Sequence, residues 1–103
     1  MKMKNLTEIS PKVRKRVMER DSVDGWTVCQ YCGSPYNIEV HHYVERSRGG
    51  MGIEQNLICL CTKCHNRLHS GETEIRNFCG EYLHEKYPTY TERDLIYRKE
   101  DYE

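Results

Sequence analysis

Apolar side chains in this chain are sparse and fall into short groups whose spacing predicts a series of small elements. Val13 and Val17 lie four apart behind Ser10-Pro11. That spacing puts both on one face of a helix over Pro11–Arg20, with Ser10 as N-cap and proline at the first helical position, where a missing N–H costs nothing. Asp24-Gly25 marks a turn, and residues 29–33 read as a tight knuckle closed by Gly33-Ser34-Pro35. In residues 38–44, Ile38, Val40, His42 and Val44 alternate with other side chains, and NLICLC at 56–61 is a second β-rich run; the two read as paired strands. Between them RSRGGMG at 46–52 is expected to be a flexible, glycine-rich loop. Thr62 is expected to cap a helix in which Cys64, His65, Leu68 and His69 recur at helical spacing until Ser70-Gly71. A further helix over residues 73–87 places Ile75, Phe78, Cys79 and Tyr82 on one side and stops at Pro88.

These elements make a small α+β fold, and 103 residues with 37% hydrophobic side chains suffice for a single domain without a large core. No apolar run reaches the roughly 18 residues of a membrane span. The start, MKMKNLTEISPKVRKR, has no apolar segment to serve as a secretory signal. The expectation is a cytoplasmic protein that does not contact a membrane. Sixteen basic and sixteen acidic side chains cancel, which argues against holding nucleic acid by bulk positive charge. The sum hides a polarity: residues 1–20 carry net +5 and residues 81–103 net -3. The organisation expected is a basic arm and helix over 1–28, a metal-stapled core over 29–70, and a C-terminal helix with an acidic tail over 71–103.

The six cysteines change the picture most. An intracellular chain has no oxidising compartment in which to use them as disulfides. Two CxxC pairs, Cys29/Cys32 and Cys61/Cys64, have the spacing of a tetrahedral structural Zn(Cys)4 site. The zinc would clamp the two ends of the inserted residues 33–60 and so supplement a small core. Cys59 and Cys79 read as buried thiols acting as small hydrophobes. Four of the five histidines form two groups, His41-His42 and His65 with His69. Residues i and i+4 share a helix face, so His65 and His69 can bind one ion, while Cys64 points elsewhere round the helix. His41 and His42 point to opposite faces of a regular strand, so a twist or bulge is expected to bring them together, one as ligand and one as base.

The run VHHYVERSRGG…NLICLCTKCHNRLH resembles the His-Asn-His (HNH) endonucleases, whose ββα-metal fold is a hairpin followed by a helix around one catalytic metal ion. The resemblance implies that His42 is the general base and that His41, often Asp in relatives, is the first metal ligand. It gives His65 and His69 as the remaining ligands. It also implies that Asn56 is the middle asparagine, which holds the hairpin loop through backbone hydrogen bonds and so orients the base. Cys29, Cys32, Cys61 and Cys64 match the zinc-containing variant of the family, and short tails like that from Gly71 onward follow the motif in small phage-type members.

The function expected from the resemblance is metal-dependent hydrolysis of DNA phosphodiester bonds, by nicking or double-strand cleavage, to 5′-phosphate and 3′-hydroxyl ends. Three imidazoles suit Zn2+, Ni2+, Co2+ or Mn2+ better than Mg2+, whereas the family often uses Mg2+ or Mn2+, so the catalytic ion stays open beside the structural Zn2+. Arg46 and Arg48 in the loop, and Lys12, Arg14, Lys15 and Arg16 within the basic segment running from Lys2 to Arg20, are candidate phosphate contacts. Glu39, two residues before His41, could orient a ligand histidine, and His84 reads as a surface residue. The alternative is a catalytically inactive, zinc-stabilised nucleic-acid-binding module. The sequence leaves open a homodimer or a partner protein of phage packaging or restriction machinery, and a phage or prophage origin in a bacterial cell.

Overall fold

The computed structural model describes residues 6–98, so Lys2, Lys4 and the last five residues lie outside it. Helix α1 is Pro11–Arg20, with Ser10 extended at the N-cap and its Oγ accepting the Val13 N–H at 3.2 Å. A short hairpin follows, β1 Ser22–Val23 and β2 Trp26–Thr27. Its tip is Asp24-Gly25, with φ of 51° and 85°, the left-handed pair that suits a two-residue connection to the twist of its strands. The knuckle closes where the Gly33 N–H donates to the Cys29 carbonyl at 2.8 Å.

The central hairpin pairs β3, Ile38–His42, antiparallel with β4, Leu57–Cys61, from Ile38 opposite Cys61 to His42 opposite Leu57. Every residue of β4 is buried, because the strand is covered on both sides. Ile58 and Leu60 pack with Cys29, Leu68, Ile75 and Cys79, whereas Leu57 and Cys59 pack with Val17 and Val40. Helix α2, Thr62–His69, leaves β4 directly, with Cys61 rather than Thr62 at the cap position and no side-chain cap. Helix α3, Thr73–Lys86, buries Ile75, Cys79 and Leu83. Cys59 and Cys79 are both fully buried, and burial pushes each thiol up to about 12, in keeping with hydrophobic rather than reactive roles.

The segment joining β3 to β4 is not the flexible loop expected. Arg46–Arg48 form a 3-10 turn, and Gly49 and Gly50 are buried. The C-terminal segment straps them: Met51 N–H donates to Leu95 at 2.8 Å and Tyr97 N–H to Gly49 at 2.7 Å. Gly50 lies so close to Val44 that a Cβ there would fall 1.7 Å from the Val44 carbonyl oxygen. The glycines serve backbone contact here, not mobility.

A buried ion pair ties the layers together. Asp21, 1% exposed, accepts Arg20 Nε and Nη2, each at 2.9 Å, the Cys59 N–H at 2.9 Å and the Tyr82 hydroxyl. Arg20 also donates to the carbonyls of Glu54 and Leu57 at 2.9 and 2.6 Å. Arg20, counted with the basic arm from sequence, is therefore an internal strut between α1, β4 and α3.

Candidate functional site

The two CxxC pairs meet because the knuckle before β3 and the β4–α2 junction stand at the same end of the hairpin. The ligand sulfurs of Cys29, Cys32, Cys61 and Cys64 all lie within 4.8 Å of one another. Cys32 Sγ and Cys61 Sγ are 3.7 Å apart; four sulfurs about 2.3 Å from a tetrahedral zinc would be roughly 3.8 Å apart. Burial pushes the Cys29 thiol up, but N–H groups of Cys32, Cys61 and Tyr31 outweigh it and bring it down to about 7, the direction a metal-binding thiolate needs. Donor type and spacing fit a structural zinc site.

On the other side of α2 the histidines border a cavity of about 280 Å³, shared by His41, His42, His65, His69, Glu45, Arg46 and Ser47. No bulge is needed, since the β3–β4 register is regular through both His41 and His42. The cavity lies where β3 ends, within reach of both rings. His41 stacks on His65, with centroids 3.6 Å apart and planes within 4°, and His69 stands 6.0 Å from His65. These three imidazoles do not converge as the thiolates do: the four cysteines are the metal-ligand cluster found among the described residues. Their chemistry nevertheless suits a cation. His41 Nε2 is buried with no hydrogen-bond partner. Burial, reinforced by His65, His42 and Arg14, lowers His41 to about 4, so the ring is neutral near pH 7 and keeps a free lone pair. Burial and then His69 lower His65 as well.

His42 Nε2 lies 2.8 Å from the Thr7 carbonyl. A carbonyl only accepts, so Nε2 carries the proton and Nδ1 the lone pair. Burial lowers its pKa, only partly opposed by the Thr7 bond and helped by Arg46 and Arg14. Asn56, fully buried, accepts the Val44 N–H through Oδ1 at 2.8 Å and donates through Nδ2 to Val44 at 3.1 Å and Met51 at 2.9 Å. Its own carbonyl accepts the Tyr43 N–H at 2.7 Å. One side chain thus pins the backbone two residues beyond His42 to the strap loop.

The HNH endonuclease family model matches residues 29–71, the stretch holding both cysteine pairs, His41, His42, Asn56, His65 and His69. The chain belongs to the HNH endonuclease family. The HNH core is similar to the type IV methyl-directed restriction enzyme EcoKMcrA of Escherichia coli, 36% identical over 52 residues that cover 41% of this chain and 18% of that enzyme. A protein named anaredoxin, from Nostoc sp., is 36% identical over 64 residues, covering 62% of this chain and 80% of that protein. Among solved structures, the type IV phosphorothioation-dependent restriction endonuclease ScoMcrA superposes with a TM-score of 0.52 at 22% identity, over 79% of this chain and 20% of that one. This likeness is one of fold. The chain thus spans about a fifth of the two restriction enzymes.

Around the HNH core the candidate DNA contacts separate by environment. Lys12, Lys15 and Arg48 are exposed, and Arg46 borders the histidine cavity. Arg14, half-buried, acts electrostatically on both His41 and His42. Arg16 pairs with Glu54 at 3.0 Å, which weakens its case as a phosphate contact. Glu39 and His84 are exposed, with no place in the cavity. Three participants escaped sequence reasoning. The Thr7 carbonyl is a backbone atom with no residue signature. Glu45 lines the cavity with its Oε1 3.8 Å from His69 Nδ1. Arg76, on α3, lies beside His42, Glu45 and His69, its guanidinium 5.1 Å above the Tyr43 ring. No described helix is long and apolar enough to cross a membrane.

Proposed function

We propose that this chain is a metal-dependent DNA endonuclease that hydrolyses phosphodiester bonds to 5′-phosphate and 3′-hydroxyl ends, with a structural zinc held by Cys29, Cys32, Cys61 and Cys64. The observation that carries the reading is the buried, unpartnered Nε2 of His41, beside a His42 ring whose tautomer the Thr7 carbonyl sets. A buried imidazole nitrogen without a partner costs free energy unless something outside the chain binds it. The restriction enzymes among the relatives support DNA as the substrate.

His41, His65 and His69 would hold one divalent ion, of Mg2+, Mn2+, Ni2+ or Zn2+. When bound, it supplies Lewis-acid stabilisation of the charge that develops on the phosphate and the leaving 3′-oxygen. His42 Nδ1 takes a proton from the attacking water, a task for which a neutral imidazole near pH 7 is suited. Asn56 keeps His42 in place through the Val44 backbone. Arg46 at the cavity rim and Arg14 beside it bind phosphate oxygens, bidentately where geometry allows, while Lys12, Lys15 and Arg48 contact flanking phosphates.

The test is cleavage of supercoiled plasmid by wild type and His42→Ala, with EDTA or with each of the four ions, followed by end analysis. Losing a general base should lower the rate by roughly 100- to 10,000-fold; equal rates would remove His42 from that role. One observation favours a second reading, a catalytically inactive zinc-stabilised nucleic-acid-binding module: the imidazoles stack instead of converging. DNA binding without cleavage under every ion would establish it.

A further inference from the structure

Glu45 stands one residue beyond Val44, whose backbone Asn56 brackets on both sides. Its own carbonyl accepts two N–H groups, from Arg48 at 3.0 Å and Gly50 at 2.9 Å. The side chain therefore leaves the best-anchored point of the β3–β4 connection. Its two carboxylate oxygens face different partners: Ser47 Oγ donates to Oε2 at 3.4 Å, and Oε1 lies 3.8 Å from His69 Nδ1. Among the described residues lining the histidine cavity it is the one acid.

His69 needs such a partner more than the other imidazoles do. It is the last residue of α2, and its side chain is 69% exposed, so packing does not hold the ring. His41, by contrast, is wedged against His65. A histidine that ligates a metal through one nitrogen commonly gives its other N–H to a carboxylate, which sets the tautomer and aims the ring. With Nδ1 turned to Glu45, Nε2 is the nitrogen left for a cation.

We propose that Glu45 is a positioning residue for the histidine metal site: its carboxylate takes the His69 Nδ1–H and thereby presents Nε2 to a divalent ion. The proposal rests on the reading of His41, His65 and His69 as ligands. The 3.8 Å separation is beyond hydrogen-bond length, and both side chains are exposed enough to rotate the remaining distance.

The test titrates Mn2+ into zinc-loaded full-length protein and follows the free ion by electron paramagnetic resonance. Mn2+ takes nitrogen and oxygen donors and does not compete with zinc for four thiolates. Glu45→Ala and Glu45→Gln should weaken Mn2+ binding by roughly 10- to 100-fold, with zinc content and unfolding midpoint unchanged. Nitrogen-15 NMR of the metal-free protein should show His69 passing from the Nδ1–H form to a mixture of tautomers in Glu45→Ala. His41→Ala serves as the control for the site and should lose the Mn2+. If both Glu45 variants bind Mn2+ as wild type does while His41→Ala does not, the proposal is overturned and the ligand reading stands. If His41→Ala also binds as wild type, the histidine site falls and the role of Glu45 falls with it.

Discussion

Asn56 brackets Val44 from both sides of its peptide unit, accepting the N–H at 2.8 Å and donating to the carbonyl at 3.1 Å. The primary amide can do both at once, because its oxygen accepts while its separate NH2 group donates. Asn56→Ala leaves the Val44 N–H, the Val44 carbonyl and the Met51 carbonyl short of partners in a buried place. Three such losses at about 1 kcal/mol each predict a stability drop of about 3 kcal/mol, read as a lower urea midpoint. Asn56→Asp, nearly the same size, should do at least as badly, since a carboxylate would face two carbonyls. A midpoint within error of wild type for Asn56→Asp would show that the bracket is not what holds the hairpin end.

The cysteine and histidine clusters should respond differently to disruption. Structural zinc contributes on the order of 10 kcal/mol or more to folding, about the whole stability of a domain this size. Stripping the zinc should therefore abolish near-ultraviolet circular dichroism and NMR dispersion, and Cys61→Ser should do the same. His65→Ala should leave both signals intact and remove cleavage. A His65→Ala protein that melts like the zinc-free form would mean that one centre, not two, supports the fold.

Asp21 and Arg20 form the strut that the basic arm conceals in sequence. Asp21→Ala strands the Arg20 guanidinium and the Cys59 N–H in the interior, a change worth about 3–5 kcal/mol. For a chain of this length that lowers Tm by roughly 12 °C or more. Lys12→Ala, an exposed substitution on the same helix, should leave Tm nearly unchanged, and a scanning calorimeter distinguishes the two.

What could be read in advance follows from how local each determinant is. The Ser10-Pro11 start, the two CxxC pairs and the HxxxH spacing are short-range patterns, and the helices and the cysteine cluster appear where they put them. Arg20 reads from sequence as part of the basic segment and Asp21 carries no local signal, because their partners at Leu57, Cys59 and Tyr82 are 37 to 61 positions away. Residues 46–52 looked flexible because glycine permits both mobility and close packing. The Leu95–Tyr97 strap that selects packing is nearly fifty positions downstream. Strand alternation points to Glu39, on the same face as His41, and carries no signal for Glu45, because the cavity gathers residues beyond the end of β3.

The strap makes a prediction about glycine. Gly50→Ala would set a methyl group against the Val44 and Glu45 carbonyls, which must separate to admit it, and overpacking of this kind costs about 1–3 kcal/mol. Gly71, with φ of 89° and open space around it, should lose only about 1 kcal/mol on change to alanine, from backbone strain. The two variants should also differ in function: Gly50→Ala moves the mount of His42 and Glu45 and should lower cleavage even where the protein stays folded, whereas Gly71→Ala should not.

The separation of the basic residues by environment predicts a division in DNA binding. A lysine that contacts phosphate displaces condensed counterions, and removing it lowers the slope of log affinity against log salt by about 0.9. Lys15→Ala, exposed on α1, should therefore flatten the salt dependence and weaken binding to all sequences alike, with stability unchanged. Arg16→Ala should leave the slope close to wild type, because its guanidinium is already paired with Glu54. The pair is half-exposed, so its loss should also cost little stability. Fluorescence anisotropy of a labelled duplex across a salt series, in EDTA to prevent cleavage, gives both slopes. If Arg16→Ala flattens the slope as Lys15→Ala does, Arg16 leaves Glu54 for phosphate when DNA binds, and the α1 surface extends over the face that the ion pair now occupies.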